Sequence, residues 1–389
     1  MKSNYKRIGK YIRLVDERNE HLKVKTLLGL SISKAFIPSV ANIIGTDMAN
    51  YKIIRKNQFA CSTMQVRRDG KMPVALLKDF DEAIISPAYP VFEVIDPTEL
   101  LPEYLMMWMT RSEFDREACF YAIGGVRGSL EWEDFCDMQL PIPHPDKQRE
   151  LVKEYNTIAN RINLNNQLIQ KLEETAQAIY KQWFVDFEFP DENGRPYKSS
   201  GGEMVWCEEL GKEVPLGWEY LNIGAISTIK AGGDKPDIFT ENKNINYNVP
   251  VYSNSSANKG LLGYTTKATV HENCITVSAR GAIIGYTEMR TEPFVPIVRL
   301  IVVIPKRPNN LCYLYDTIKK FRYDDSGSAQ GQLTVPEVSQ FKVLWPFDNI
   351  LNSYQLISFT IAKSIFLREK INIELENFKN VLLSKIVIG

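Results

Sequence analysis

"IANRINLNNQLIQKLEE" (158–174) lies in the middle of a chain of 389 residues, and a version of it returns near the C-terminus as "IAKSIFLREKINIELEN" (361–377). Around the first copy, positions at alternating intervals of four and three are Leu151, Tyr155, Ile158, Ile162, Asn165, Ile169, Leu172, Ala176, Ile179 and Trp183. That spacing predicts a long helix with one apolar seam, broken by a single polar position, Asn165, suited to fixing register. Matched seam positions are apolar in both copies: Ile158 and Ile361, Ile162 and Ile365, Leu172 and Leu375, Ile179 and Leu382, Trp183 and Ile386. A helix of roughly 38 residues, rising about 1.5 Å per residue, is a rod of ~57 Å. One globule of about 145 residues cannot cover it. The seam needs a partner, and the other copy in the same chain is the nearest.

The repeat reaches beyond the helices. At a constant offset of 203, Gly128-Ser129-Leu130 matches Gly331-Gln332-Leu333, Pro143 matches Pro346, and Leu172-Glu173 matches Leu375-Glu376. Upstream the likeness survives as pattern: Tyr104-Leu105 against Tyr313-Leu314, and "AIISPAYPVFEVI" (83–95) against "PFVPIVRLIVVIP" (293–305). Short β-branched runs between Gly, Asn and Pro turns, such as "NCITVSARGAIIGYT" (273–287), predict antiparallel strands. The stretch "DENGRPYKSSGGE" (191–203) reads as an exposed connection. The chain is therefore expected to be α+β: a mostly-β globule over 1–145, a central helix over 146–190, a linker over 191–213, a second mostly-β globule over 214–347 and a C-terminal helix over 348–389. Antiparallel pairing of the helices as a coiled coil would place the globules at opposite ends of a spacer with approximate two-fold symmetry.

Bulk properties exclude several classes. The N-terminus "MKSNYKRIGKY" has no apolar leader core, and the most apolar run, "FVPIVRLIVVI" (294–304), is too short to span a bilayer and contains Arg299. Six cysteines without a CxxC pair and three scattered histidines argue against a metal site or disulfide framework, and suit a reducing cytoplasm. The formal net charge is +0, yet residues 1–72 carry 15 Lys+Arg against 5 Asp+Glu, while residues 73–140 carry 4 against 14. Such segregation gives either a basic face for phosphate binding or two charge sets that pair with each other.

The organisation resembles the DNA-specificity subunit of type I restriction–modification systems, on "QAIYKQWFVDFEFP" (177–190), "GRPYKSSGGEMVW" (194–206), "VPLGW" (214–218) and the two helices. The Pro-x-Gly-Trp opening of the second globule has no counterpart at the N-terminus. The resemblance implies two target-recognition domains separated by two helical regions, and no catalytic centre. It implies double-stranded DNA as ligand, two modification subunits held by the helices, and restriction subunits joining them. S-adenosylmethionine, ATP and magnesium are then expected on those partners, and no cofactor, metal or membrane on this chain.

The residues agree. Neither an Asn/Asp-Pro-Pro-Tyr/Phe motif for a flipped adenine nor a GxxxxGK[ST] loop is present. The carboxylates of "FVDFEFPDE" (184–192) follow a long helix directly and read as its exit. For reading DNA, the first globule offers Ser62, Thr63, Gln65, Arg67 and Arg68 in "CSTMQVRRDGK", and the second offers Ser253, Asn254, Ser255, Lys267 and Arg280. Arg127 and Gln330 share a place in the repeat, each just before an aligned glycine. The chain is thus expected to be a non-catalytic subunit that recognises a bipartite, asymmetric DNA site. The alternatives are a stand-alone methyltransferase or endonuclease with an unrecognised site, and a protein-binding adaptor.

Overall fold

The computed structural model describes residues 5–39, 46–124, 128–321 and 332–386. It divides into two compact units, residues 1–165 with 370–389, and residues 166–369. Both long helices contribute to both units.

In unit 1, β1 (Tyr5–Arg7) leads into β2 (Ile12–Val15), followed by β3 (Gln58–Cys61), β4 (Val74–Leu76), β5 (Val91–Val94) and β6 (Gln139–Pro141). The four-stranded sheet has the order β2-β5-β3-β4, all antiparallel, and β1 pairs separately with β6. The β5 run "VFEV" is apolar enough to be central. Phe92 faces Phe59 in register, and the two rings stack at 4.8 Å. Pro102 starts α1 (Pro102–Thr110), where a missing amide hydrogen costs no bond, and α2 (Ser112–Tyr121) follows. The first long helix is α3 (Pro145–Tyr180).

Unit 2 repeats the plan. Its strands β7 (Glu219–Asn222), β8 (Ser227–Ala231), β9 (Cys274–Ser278), β10 (Thr287–Arg290), β11 (Leu300–Pro305) and β12 (Lys342–Trp345) form a β8-β11-β9-β10 sheet and a separate β7–β12 pair. The helices are α4 (Leu311–Ile318) and the second long helix, α5 (Asp348–Lys385). One device recurs in both units. Tyr104 on α1 donates its buried hydroxyl to the Pro141 carbonyl at 3.0 Å, and Tyr313 on α4 donates to the Leu344 carbonyl. The repeat also extends to the N-terminus. Ile8 N–H donates to Met138 O at 2.9 Å, as Ile223 N–H donates to Phe341 O at 2.7 Å.

The stretch expected as an exposed connection carries structure of its own. Strands 204–207 and 212–215 form a hairpin, and Tyr197 stacks on Phe189 at 4.6 Å. Phe189 stacks on Trp218 at 5.2 Å, with Phe187 edge-on at 5.6 Å. Gly217 precedes Trp218 with φ +83°, a left-handed conformation for which "PLGW" needs its glycine. Asp186 binds Lys181 at 2.6 Å and Glu188 accepts from Ser199, which makes both carboxylates part of the helix exit.

Each position of the seam on α3, and its equivalent 203 residues on along α5, is buried or half-buried, while Lys153, Arg161, Gln167, Lys171 and Glu174 between them are exposed. In unit 1 the start of α3 meets the end of α5: Leu151 shares a core with Leu382, Leu383 and Ile386. Asn165, only 5% exposed, donates to the Asn372 side chain at 2.8 Å. In unit 2 the end of α3 meets the start of α5: Tyr180, Trp183 and Phe184 pack with Tyr313 and Tyr354. The chain directions oppose in both units.

Tyr354 also donates to Asp316 on α4 at 2.5 Å. Burial pushes the Asp316 carboxyl up to about 6 from an ordinary 3.8, against smaller lowering by Tyr354, Lys319 and Lys320. The folded value exceeds the unfolded one, so this contribution to stability is full below about pH 4 and is lost as pH rises through about 6. Its ceiling is about 3 kcal/mol. Asp316→Asn should flatten the pH dependence of unit 2's urea midpoint between pH 4 and 7; an unchanged dependence would contradict the assignment.

Candidate nucleic-acid interface

In each unit the segment leaving β3 or β9 runs beside the leucine that ends the repeated Gly-x-Leu stretch, Leu130 or Leu333. Leu130 N–H donates to Thr63 O at 2.9 Å, and Leu333 N–H donates to Ala279 O at 2.8 Å. Thr63 and Ala279 therefore occupy equivalent places, and Arg280 follows Ala279 directly.

In unit 1, Ser62 is held by its N–H on Pro73 O at 2.8 Å, and Gln65 takes a left-handed conformation (φ 65°) to open a single helical turn, Val66–Asp69. Val66 is buried as the anchor of that turn, which leaves Arg67 and Arg68 outside. Arg68 donates to Asp69 at 2.6 Å, which orients the guanidinium. A Cβ on Gly128 (φ +44°) would lie 2.7 Å from Arg67 Cβ, so only glycine lets the backbone of the aligned loop lie against Arg67. Ser62, Thr63 and Gln65 are half-buried and shape the turn, while Arg67, Arg68 and Lys71 are exposed, as is Met64.

The charge segregation of this half resolves mainly into pairs. Arg7 meets Asp137 at 3.1 Å, Arg13 meets Glu93 at 2.6 Å, Arg55 meets Glu82 at 2.8 Å, and Lys56 meets Asp81 at 3.7 Å. Lys34 is inserted beside Asp115 at 2.8 Å, where burial lowers its pKa from the usual lysine value. Exposed cations remain on the turn at 67–71, and also at Lys6, Lys10, Lys23 and Lys25.

In unit 2, Asn254 links two loops. Its carboxamide oxygen accepts from Ala279 N–H at 2.9 Å and Arg280 N–H at 3.2 Å, and its amide donates to Arg280 O at 2.9 Å. Ser253 N–H donates to Gly260 O at 2.8 Å, and the Ser255 hydroxyl accepts from Ala257 N–H at 3.1 Å. These three residues build the scaffold on which Arg280 is exposed. Lys267 is exposed on another segment, just beyond the strand 261–265. Arg127 and Gln330 lie outside the described residues.

Sequence reasoning missed Arg299. It is exposed, adopts φ 70°, and its carbonyl accepts from Ala279 N–H at 3.0 Å, next to Arg280. A cation within the otherwise apolar run "FVPIVRLIVVI" is the available signal. Arg290 is a different case. It is buried, stacks over Tyr252 at 3.6 Å and donates to Thr276 at 3.1 Å, and so serves the core.

Among the described residues, no group of three or more His, Cys, Asp or Glu is placed to hold a metal ion, and no helix is long and apolar enough to cross a membrane. All six cysteines are free thiols.

Residues 215–377 match a family described as the type I restriction modification DNA specificity domain. The chain is 23% identical over 303 residues to the type I restriction enzyme MjaIX specificity subunit of Methanocaldococcus jannaschii, covering 74% of this chain and 67% of that protein. It is 37% identical over 227 residues to a putative type I specificity subunit of Mycoplasma pneumoniae, covering 57% of this chain and 54% of that protein. Among solved structures, the type I S subunit from M. genitalium superposes with a TM-score of 0.68 at 15% identity, over 98% of this chain and 95% of the other. At that identity the likeness speaks for the fold.

Proposed function

We propose, from its likeness to the type I restriction modification DNA specificity domain and to type I specificity subunits, that this chain selects the DNA sequence on which partner subunits act and has no catalytic centre of its own. It reads a bipartite site, one half with the loops of each unit. The observation that carries this is the recurrence of one scaffold with unlike tips. Equivalent backbone bonds (Leu130 to Thr63, Leu333 to Ala279) support Arg67 and Arg68 in one unit and Arg280 with Arg299 in the other. Arginine on a glycine-flanked loop suits both phosphate contact and guanine edges. Unlike tips imply unlike half-sites.

The partners are adenine-modifying and restriction subunits. Supporting this, α3 and α5 display apolar side chains off the paired seam, including Leu164, Leu356, Leu367, Ile373, Phe378 and Val381, all exposed. A lone helix pair in water gains nothing from such residues, and exposed apolar patches mark protein contacts. S-adenosylmethionine, ATP and magnesium belong to those partners.

Mapping methylated adenines in cells with and without this chain tests the reading. One two-part motif should vanish with the chain, and an unchanged methylation pattern would refute the proposal. Arg67→Ala/Arg68→Ala should weaken duplex binding by roughly 10- to 100-fold and lower the slope of log affinity against log salt by about 2. Unaltered affinity and slope would remove this turn from the interface.

A further inference from the structure

We infer that Phe120, with Ile123 and Met64 beside it, forms an apolar wedge that enters a base step of the DNA held by unit 1. This rests on the reading of residues 62–71 as DNA-facing. Helix α2 buries Phe114 and Ala118, with Ala122 continuing the stripe at the same spacing, so helical geometry turns Phe120 to the opposite side. There it is 79% exposed, touching only the edge of Tyr121 at 5.4 Å among ring contacts, and Ile123 is 69% exposed. Met64, on the basic loop itself, is exposed as well.

Four bonds hold this apolar knuckle against the basic turn. The Cys119 thiol donates to Val66 O at 3.4 Å, Ile123 and Ser129 exchange backbone bonds at 2.8 and 2.9 Å, and Leu130 donates to Thr63 O. The wedge and the Arg67–Arg68 pair therefore belong to one rigid edge. On α2 the residues one turn before Phe120 are Arg116 and Glu117, and the turn coupled to this helix exposes Arg67, Arg68 and Lys71. Phosphates flanking a stack of bases offer the complement to both: anions for the guanidinium groups and π-faces for the ring.

The test uses the full chain and a short duplex carrying the methylated motif, with 2-aminopurine placed in turn at adenines of the half-site read by unit 1. Wild-type chain should raise the fluorescence of one unstacked position. Phe120→Ala should abolish that rise and weaken binding by roughly tenfold, with the salt slope unchanged because an apolar contact releases no counterion. Phe120→Trp should restore both. If Arg67→Ala/Arg68→Ala lowers affinity and slope while Phe120→Ala leaves affinity and fluorescence intact, the wedge alone is overturned. If neither variant alters duplex binding, the DNA-facing reading of this edge falls and the wedge with it. If Phe120→Ala spares duplex binding but blocks assembly with the modification subunits, the patch docks protein and the inference is wrong.

Discussion

Replacing Leu382 and Ile386 with alanine is expected to destabilise the N-terminal globule, although these residues stand at the opposite end of the chain. Both are buried in the same core as Ile8, Phe59, Tyr104 and Leu140. Truncating a buried Leu or Ile to Ala costs about 2–5 kcal/mol each, and the stability of a domain is only about 5–15 kcal/mol. Hydrogen exchange locates the damage. Amides of β3 and β5 should lose protection in the double variant, while β9 and β11 keep theirs. Lost protection in β9 and β11, with β3 and β5 unaffected, would contradict the placement of α5.

The mirror experiment is Tyr354→Ala. Tyr354 is fully buried, packs edge-on to Phe184 at 4.8 Å, lies 5.9 Å from Trp183, and donates to Asp316. Removing it opens a cavity at the junction of both long helices with α4 and leaves a buried carboxyl without its donor. The expected cost is about 3–5 kcal/mol, as for a large aromatic, and it should fall on unit 2. Urea unfolding followed by tryptophan fluorescence would show an early transition from Trp183 and Trp218, which both lie in that cluster. A single transition at the wild-type midpoint would mean that the aromatic cluster contributes little. Together the two variants ask whether each globule is stabilised by the start of its own helix and the end of the other.

The helices were legible because their pattern is strong and local. Ten seam positions at 4-3 spacing, with five matched pairs apolar again 203 residues on, leave little room for another reading. Asn165 stood out as the one polar seam residue. Its partner did not, because Asn372 is the repeat equivalent of Ile169 rather than of Asn165, and only the antiparallel register brings the two amides together. Tyr104 and Tyr313 were visible as a sequence match, but their shared hydroxyl bond to a strand carbonyl was not, since it depends on tertiary packing.

The candidate surface was legible in part. Residue types pointed to 62–68 and 253–255, and both segments do lie beside the repeated glycine loop or the loop that bears Arg280. Which side chains are spent internally is a matter of geometry. Asn254 looked like a base reader by type, yet its carboxamide makes three bonds to the backbone of residues 279–280. Arg299 was hidden for the opposite reason: a left-handed backbone turns it out of an apolar run whose pattern alone implies burial. The excess of basic residues early in the chain likewise overstated the footprint, because most of the pairs that consume it join residues far apart in sequence.

The central claim is that two unlike readers on one repeated scaffold each choose one half of a DNA site. The most direct measurement is the methylation map of cells whose chain carries residues 219–345 of a different specificity subunit in place of its own. The account expects one half of the methylated motif to change to the donor's while the other half stays. A motif changed in both halves, or in neither, would contradict it.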